Sequence, residues 1–168
     1  MSIFVHIADE RQSAGIRRSG LKLMYSIPAD AAGSYGIFAL PVVPNFLISH
    51  QWVRELKRRG FRVAVGVYFR VPDTQQVFAG LYNKKKEPML AAEASAYLRK
   101  HETLGYEVII PCSIAASQIE AIRSIPQKLG WRYFPGAHER GVFCWCRGCQ
   151  RGGYKSRLKR VAYEAAAL

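Results

Sequence analysis

The chain has 168 residues, 49% of them hydrophobic, with 25 Lys or Arg against 12 Asp or Glu and a formal net charge of +13. This excludes a disordered polypeptide and suffices for one domain that buries roughly 70% of its unfolded surface. Apolar runs such as FRVAVGVYF stay far below the roughly 18 residues of a membrane span, and MSIFVHIADER has no basic stretch followed by a long apolar one, so we expect a cytoplasmic protein with no membrane partner.

In chain order, SIFVHIA (2–8) alternates and is β-branched, which predicts a strand ending near His6. Residues 9–20 carry acids first, arginines last and Gly20 at the end, the charge order of a helix. Residues 21–34 read as a loop and 35–41 as a short strand closed by Pro41. A helix follows over 45–60, capped by Asn45 and ended by Gly60. FRVAVGVYFRV (61–71) is the strongest strand, and 73–88 is a turn-rich connection holding a short strand at Gln76–Ala79. Residues 89–101 predict a helix, 106–114 a strand, 115–125 a short helix, 131–134 a last strand and 154–168 a terminal helix. Strands and helices mix without steady alternation, so the expected class is α+β in a single domain, 1–168.

A charge of +13 repels itself in the folded state and suits a polyanionic partner. Nucleic acid is the first candidate, since neutralised phosphates release counterions. An acidic protein such as an antitoxin or immunity protein also fits.

Three positions can carry chemistry. His6 stands near the end of the first strand, where a lone histidine is also compatible with an ordinary core residue. Glu107 opens the apolar run VIIP, where a buried carboxylate costs several kcal/mol unless something uses it; a strand-end glutamate facing solvent is the plainer alternative. Phe38, in GIFALP, is by itself a core aromatic.

Together, FVHIA, a helix closing in SGL (Ser19–Leu21), GIFALP and YEVIIP resemble the ADP-ribosyltransferase fold. The resemblance is to the His-Tyr-Glu branch that includes the DarT-like nucleic-acid-modifying transferases, and it covers most of residues 3–121. It implies a mixed-sheet core with flanking helices and an NAD pocket. His6, with Ile7 beside it, would contact the ribose. Phe38 would stack on nicotinamide, and Gly20 and Leu21 would flank the pocket. Glu107 would orient the ribose for transfer. Phe38 stands where the family has tyrosine, which keeps a stacking face and loses the hydroxyl; Tyr35 is the alternative. Val5 precedes His6, so the Arg-His pair of the RNA 2′-phosphotransferase relatives is missing and that activity is not expected.

The chemistry asks for these residue types. Breaking a nicotinamide–ribose bond develops positive charge on the sugar, which a carboxylate stabilises. A flat aromatic holds nicotinamide, and histidine hydrogen-bonds ribose hydroxyls.

Residues 122–168 form a Cys-rich, basic extension. Cys144, Cys146 and Cys149 cluster tightly, and tetrahedral zinc wants four such ligands, the fourth being His138 or Cys112. Reduced thiols and an iron–sulfur cluster are the alternatives. Arg147, Arg151, Lys155, Arg157, Lys159 and Arg160 interleave with Tyr154 beside it, cations for phosphates and a flat face for bases. The expected activity is transfer of ADP-ribose from NAD to DNA or RNA, as in a toxin or defence effector. The alternatives are a non-catalytic zinc-containing nucleic-acid-binding module and a protein-modifying transferase.

If the cysteines hold structural zinc, protein purified without chelators carries about one equivalent, and Cys146→Ser lowers both zinc content and melting temperature. Elemental analysis finding no metal would return these cysteines to ordinary thiols.

Overall fold

Eight residues of the N-terminal strand, β1 (Ser2–Asp9), pair antiparallel with the whole of β3 (Ala64–Val71), from Ser2 opposite Val71 to Asp9 opposite Ala64. A computed structural model describes residues 1–23, 36–82 and 84–130. The expected strand at 131–134 and helix at 154–168 lie outside them, as do Tyr35, His138, Cys144, Cys146, Cys149 and the basic residues from Arg147 to Arg160.

β1 outlasts the expected strand by running through His6 to Asp9. Asp9 then caps a 3-10 turn (Glu10–Gln12) by accepting from the Arg11 amide, and its carboxylate also pairs with the Arg11 guanidinium at 2.7 Å. Helix α1 (Ser13–Ser19) follows and ends at Gly20, whose φ of 74° belongs to the left-handed region.

After β2 (Ile37–Pro41), the single helix expected over 45–60 is two short ones, α2 (Phe46–Ser49) and α3 (Val53–Arg58). Asn45 caps α2 as expected, accepting from the Leu47 amide. The break has a reason in its side chains. Gln51 donates to the carbonyls of Ile48 and Thr103 and accepts from the Gly105 amide, while Trp52 donates to the Tyr106 carbonyl at 2.8 Å. A straight helix would not turn both toward residues 103–106, some 50 positions along the chain.

β4 (Gln76–Leu81) extends the short strand expected there. β5 (Glu87–Leu90) replaces the first residues of the expected helix, so α4 (Ala91–His101) begins two residues late. Beyond β6 (Tyr106–Ile110), the helix expected over 115–125 is a 3-10 turn (Ala116–Gln118) and a strand, β7 (Ile119–Ser124). The spacing of Ile119 and Ile122 mimics a helical face. A register shift between Tyr68 and Phe69 of β3 makes Ala121 and Ile119 consecutive partners, so Glu120 is the extra residue and both isoleucines reach the core. β7 also pairs the outer side of β3, which would otherwise be an open edge.

Among the described residues, seven strands form one sheet in the order β5-β4-β6-β2-β1-β3-β7. The class is α+β as expected, but every pairing is antiparallel, so the sheet is not mixed. Ala91, Ala94 and Leu98 of α4 pack into the main core with Phe4, Ala8, Phe69, Val77 and Val108. Val5 and Ile7, which alternate with those β1 residues, pack with Val53 in a second cluster. No helix among the described residues is long and apolar enough to cross a membrane.

Gly20 is tied into this core. Leu21 and Ile114 exchange backbone hydrogen bonds of 2.9 and 3.0 Å, and a Cβ at Gly20 would stand 2.0 Å from the Ile114 carbonyl oxygen. Gly20→Ala is therefore expected to cost more than about 2 kcal/mol, from left-handed strain plus the clash, and to lower the melting temperature by roughly 4–8 °C. An unchanged thermal melt by circular dichroism would contradict this.

Candidate active site

β1 and β2 pair at two positions, Phe4 with Pro41 and Val5 with Leu40. Continuing that register would set Ile7 opposite Phe38. The ladder stops first, and the His6 imidazole takes the Phe38 carbonyl instead, Nδ1 to O at 2.7 Å. A carbonyl only accepts, so Nδ1 carries the proton and the neutral ring leaves Nε2 as an acceptor. Burial pulls the His6 pKa below its ordinary value of 6.5, against the opposing pull of the Phe38 carbonyl. The ring is neutral at pH 7.

Where the strands part, a pocket of about 310 Å³ opens. His6 and Ile7 of β1, Phe38 of β2 and Glu107 of β6 all line it, so residues 100 positions apart meet at one site. Phe38, which lines this space, is 38% exposed, the outlier in an otherwise buried strand. Trp52, Leu56 and Phe61 add apolar wall, while Gln12 and Arg59 add polar groups.

Glu107 stands at the second residue of β6, opposite Gly80 of β4. Burial pushes its carboxyl above the ordinary range, and Lys86, then Arg59, pull it back. Lys86 comes within 3.0 Å of the Glu107 carboxylate, and the side chains of both are largely buried, 8% and 14% exposed. The Lys86 ammonium also donates to the Leu81 and Lys84 carbonyls at 2.6 and 3.1 Å. Gly80 leaves the room for this: a Cβ there would stand 3.0 Å from the Lys85 carbonyl and 3.4 Å from Cδ of Lys86. Arg59 donates to the Tyr82 hydroxyl at 3.1 Å, and Tyr82 packs against Trp52.

Gly20 and Leu21 do not line the pocket; they sit against Ile114. Cys112 is half-buried against the main core, and burial pushes its thiol up, away from the thiolate a metal takes. Among the described residues no group of three or more His, Cys, Asp or Glu is placed to hold a metal.

Lys86, Arg59, Gln12 and Trp52 are site residues that sequence reasoning passed over. KKKEP reads as a turn, and nothing in it says which lysine turns inward. Gly80 inside VFAGLY is the usable signal, since glycine within a strand marks close approach of other backbone. No family model matches the chain, and no curated protein or solved structure matches it.

The His6 geometry makes a pH prediction. A folded pKa below 6.5 means that the unfolded chain binds more protons as pH falls through that value, so acid destabilises the fold through this group until the folded pKa is passed. Asn can keep the donor to the Phe38 carbonyl and cannot titrate. Between about pH 7 and pH 5, the melting temperature of His6→Asn should fall less than that of the parent protein. Parallel curves of melting temperature against pH would show that His6 is not held neutral.

Proposed function

We propose that this protein is an ADP-ribosyltransferase that moves ADP-ribose from NAD to a nucleic acid. The observation that carries the reading is the convergence of His6, Phe38 and Glu107, from three strands, on one largely apolar pocket. The resemblance in sequence names these same residues for ribose contact, nicotinamide stacking and charge stabilisation. A volume of about 310 Å³ lies at the lower end of small-molecule pockets and suits the nicotinamide riboside half of NAD, with the adenosine half extending past it.

The residues fit the chemistry. Transfer breaks the bond between ribose C1′ and the nicotinamide nitrogen. The electron pair leaves with nicotinamide, and C1′ takes a new bond from an acceptor nitrogen or oxygen whose proton passes to solvent. Phe38 offers its exposed ring face to the planar amide and, with Trp52 and Phe61, keeps water from C1′. His6, neutral with its proton on Nδ1, presents Nε2 to a ribose hydroxyl. Glu107 places negative charge where the sugar becomes electron-poor, in a buried setting where that charge acts more strongly than in water. Arg59 on the wall favours an anionic ligand group.

Charge is what favours a nucleic-acid acceptor over a protein one. The net +13 and the seven Lys or Arg from Arg140 onward suit phosphates, and Lys84 and Lys85 stay exposed on the connection that delivers Lys86 to the pocket. Zinc on Cys144, Cys146, Cys149 and His138 would stiffen the basic extension. A toxin or defence effector suits such an activity, and an acidic antitoxin would complement its charge.

The test is incubation with labelled NAD and separate pools of DNA, RNA and protein; label is expected in a nucleic-acid pool. Glu107→Gln should keep the fold, because Lys86 retains its two carbonyl acceptors, and should keep NAD binding. Turnover should drop by two to three decades, the roughly 3–4 kcal/mol that one electrostatic contact supplies. Unchanged turnover in that variant would sink the assignment, and label in the protein pool alone would overturn the nucleic-acid acceptor.

A further inference from the structure

Lys86 is placed as no surface lysine needs to be. Its ammonium has three acceptors: the Leu81 carbonyl, the Lys84 carbonyl and the Glu107 carboxylate at 3.0 Å. The two carbonyls belong to the end of β4 and to the β4–β5 connection, so they fix the ammonium to its own hairpin. The third contact reaches across to β6. Its neighbours Lys84 and Lys85 are exposed, while the Lys86 side chain is nearly enclosed. A lysine needed only to clamp the hairpin is satisfied by the two carbonyls.

We propose that Lys86 is the positioning residue of this site, an ammonium anchored on the β4–β5 hairpin that holds the Glu107 carboxylate as an oriented anion beside the pocket. It deepens the transferase reading and rests on that reading for its catalytic meaning; the geometry of the pair does not. Burial alone would drive Glu107 toward its protonated form, in which it cannot stabilise a cationic sugar. The charged and titratable groups that face Glu107 are Lys86 from the hairpin, Arg59 from the end of α3 and His6 across the pocket. His6 is neutral. Arg59 is exposed and engaged with the Tyr82 hydroxyl, so it acts from farther out. Lys86 is the contact ion.

The experiment is a carbon-13 NMR titration of the Glu107 side-chain carboxyl, assigned by its disappearance in Glu107→Gln, in four folded proteins: parent, Lys86→Met, Lys86→Gln and Lys86→Arg. Lys86→Gln is the safeguard against misfolding, since its amide can still donate to the Leu81 or Lys84 carbonyl. Loss of a contact cation should raise the Glu107 midpoint by about one pH unit or more in the Met and Gln variants, and Arg should bring it back toward the parent value. A midpoint in folded Lys86→Gln that coincides with the parent's would overturn the proposal and leave Lys86 a hairpin clamp, whatever the melting temperatures do. Turnover of NAD, followed alongside, separates the two readings. In an active enzyme the acid limb of the pH profile moves up with the carboxyl midpoint. A parent protein without turnover would overturn the transferase reading, with the titration still deciding what Lys86 does to Glu107.

Discussion

The hydrogen bond from the His6 imidazole to the Phe38 carbonyl is the contact on which the candidate site depends. A seven-stranded antiparallel sheet that zipped fully between β1 and β2 would have no opening there. Continuing the two observed pairs would give the Phe38 carbonyl to a backbone partner on β1 and close the gap. Parting two strands near the middle of a sheet leaves polar backbone groups without ladder partners, which costs free energy comparable to lost hydrogen bonds. His6 offsets that cost at the point of divergence with a side-chain donor. The pocket and the histidine's tautomer thus come from one interaction. The same bond that lets the strands part decides which ring nitrogen is left to accept from a ligand.

The other wall is held by the corner between α2 and α3. Gln51, fully buried, spends its amide on Ile48, Thr103 and Gly105, and Trp52 bonds the Tyr106 carbonyl. Those contacts fix the backbone immediately before Glu107. A carboxylate at a strand start would otherwise sit on the fraying end of β6. Here it is bracketed by the Gln51–Trp52 corner on one side and the Lys86 hairpin on the other. Both brackets are polar, buried and satisfied, the condition under which a polar network rigidifies a site rather than weakening a core.

Much of this was legible in the sequence where local chemistry and burial agree. The alternation of SIFVHIA, the apolar density of FRVAVGVYF, the Asn45 cap and Gly20 at a helix end all stand in the fold as read. The misreadings share one cause, that local pattern was overridden by distant partners. Ile119 and Ile122 look helical until a bulge against β3 lets a strand bury both. Residues 45–60 look like one helix until Gln51 and Trp52 are claimed by residues some 50 positions away. Within the pocket, Glu107 stood out as a carboxylate opening an apolar run, while His6 and Phe38, each by itself compatible with a core residue, were singled out only through the resemblance. Lys86 and Arg59 were not, because a lysine among lysines and an arginine at a helix end look solvated until β4 pairs with β6.

The Lys86–Glu107 pair also bears on whether the pocket is built for stability or for chemistry. Taking two charges out of water carries a desolvation cost that their attraction often only offsets, and well-packed apolar residues of similar size serve a core as well or better. The neighbouring strand residues are of that apolar kind: Val108 and Ile109 of β6 are buried, as are Val77 and Ala79 of β4. A strand start of this composition has no packing need for a carboxylate. An oriented anion in a low-dielectric recess does have a use beside a ligand that becomes positively charged as it reacts, because a preorganised charge need not reorganise when the reaction occurs. The aromatic wall of Phe38, Trp52 and Phe61 around that anion works to the same end, since excluding water strengthens the field it exerts. Beyond His6 and Glu107 the pocket lining is largely apolar, with Gln12, Ser49 and Arg59 as its other polar groups. On the transferase reading proposed above, that lining would take a flat, cationic ring joined to a sugar.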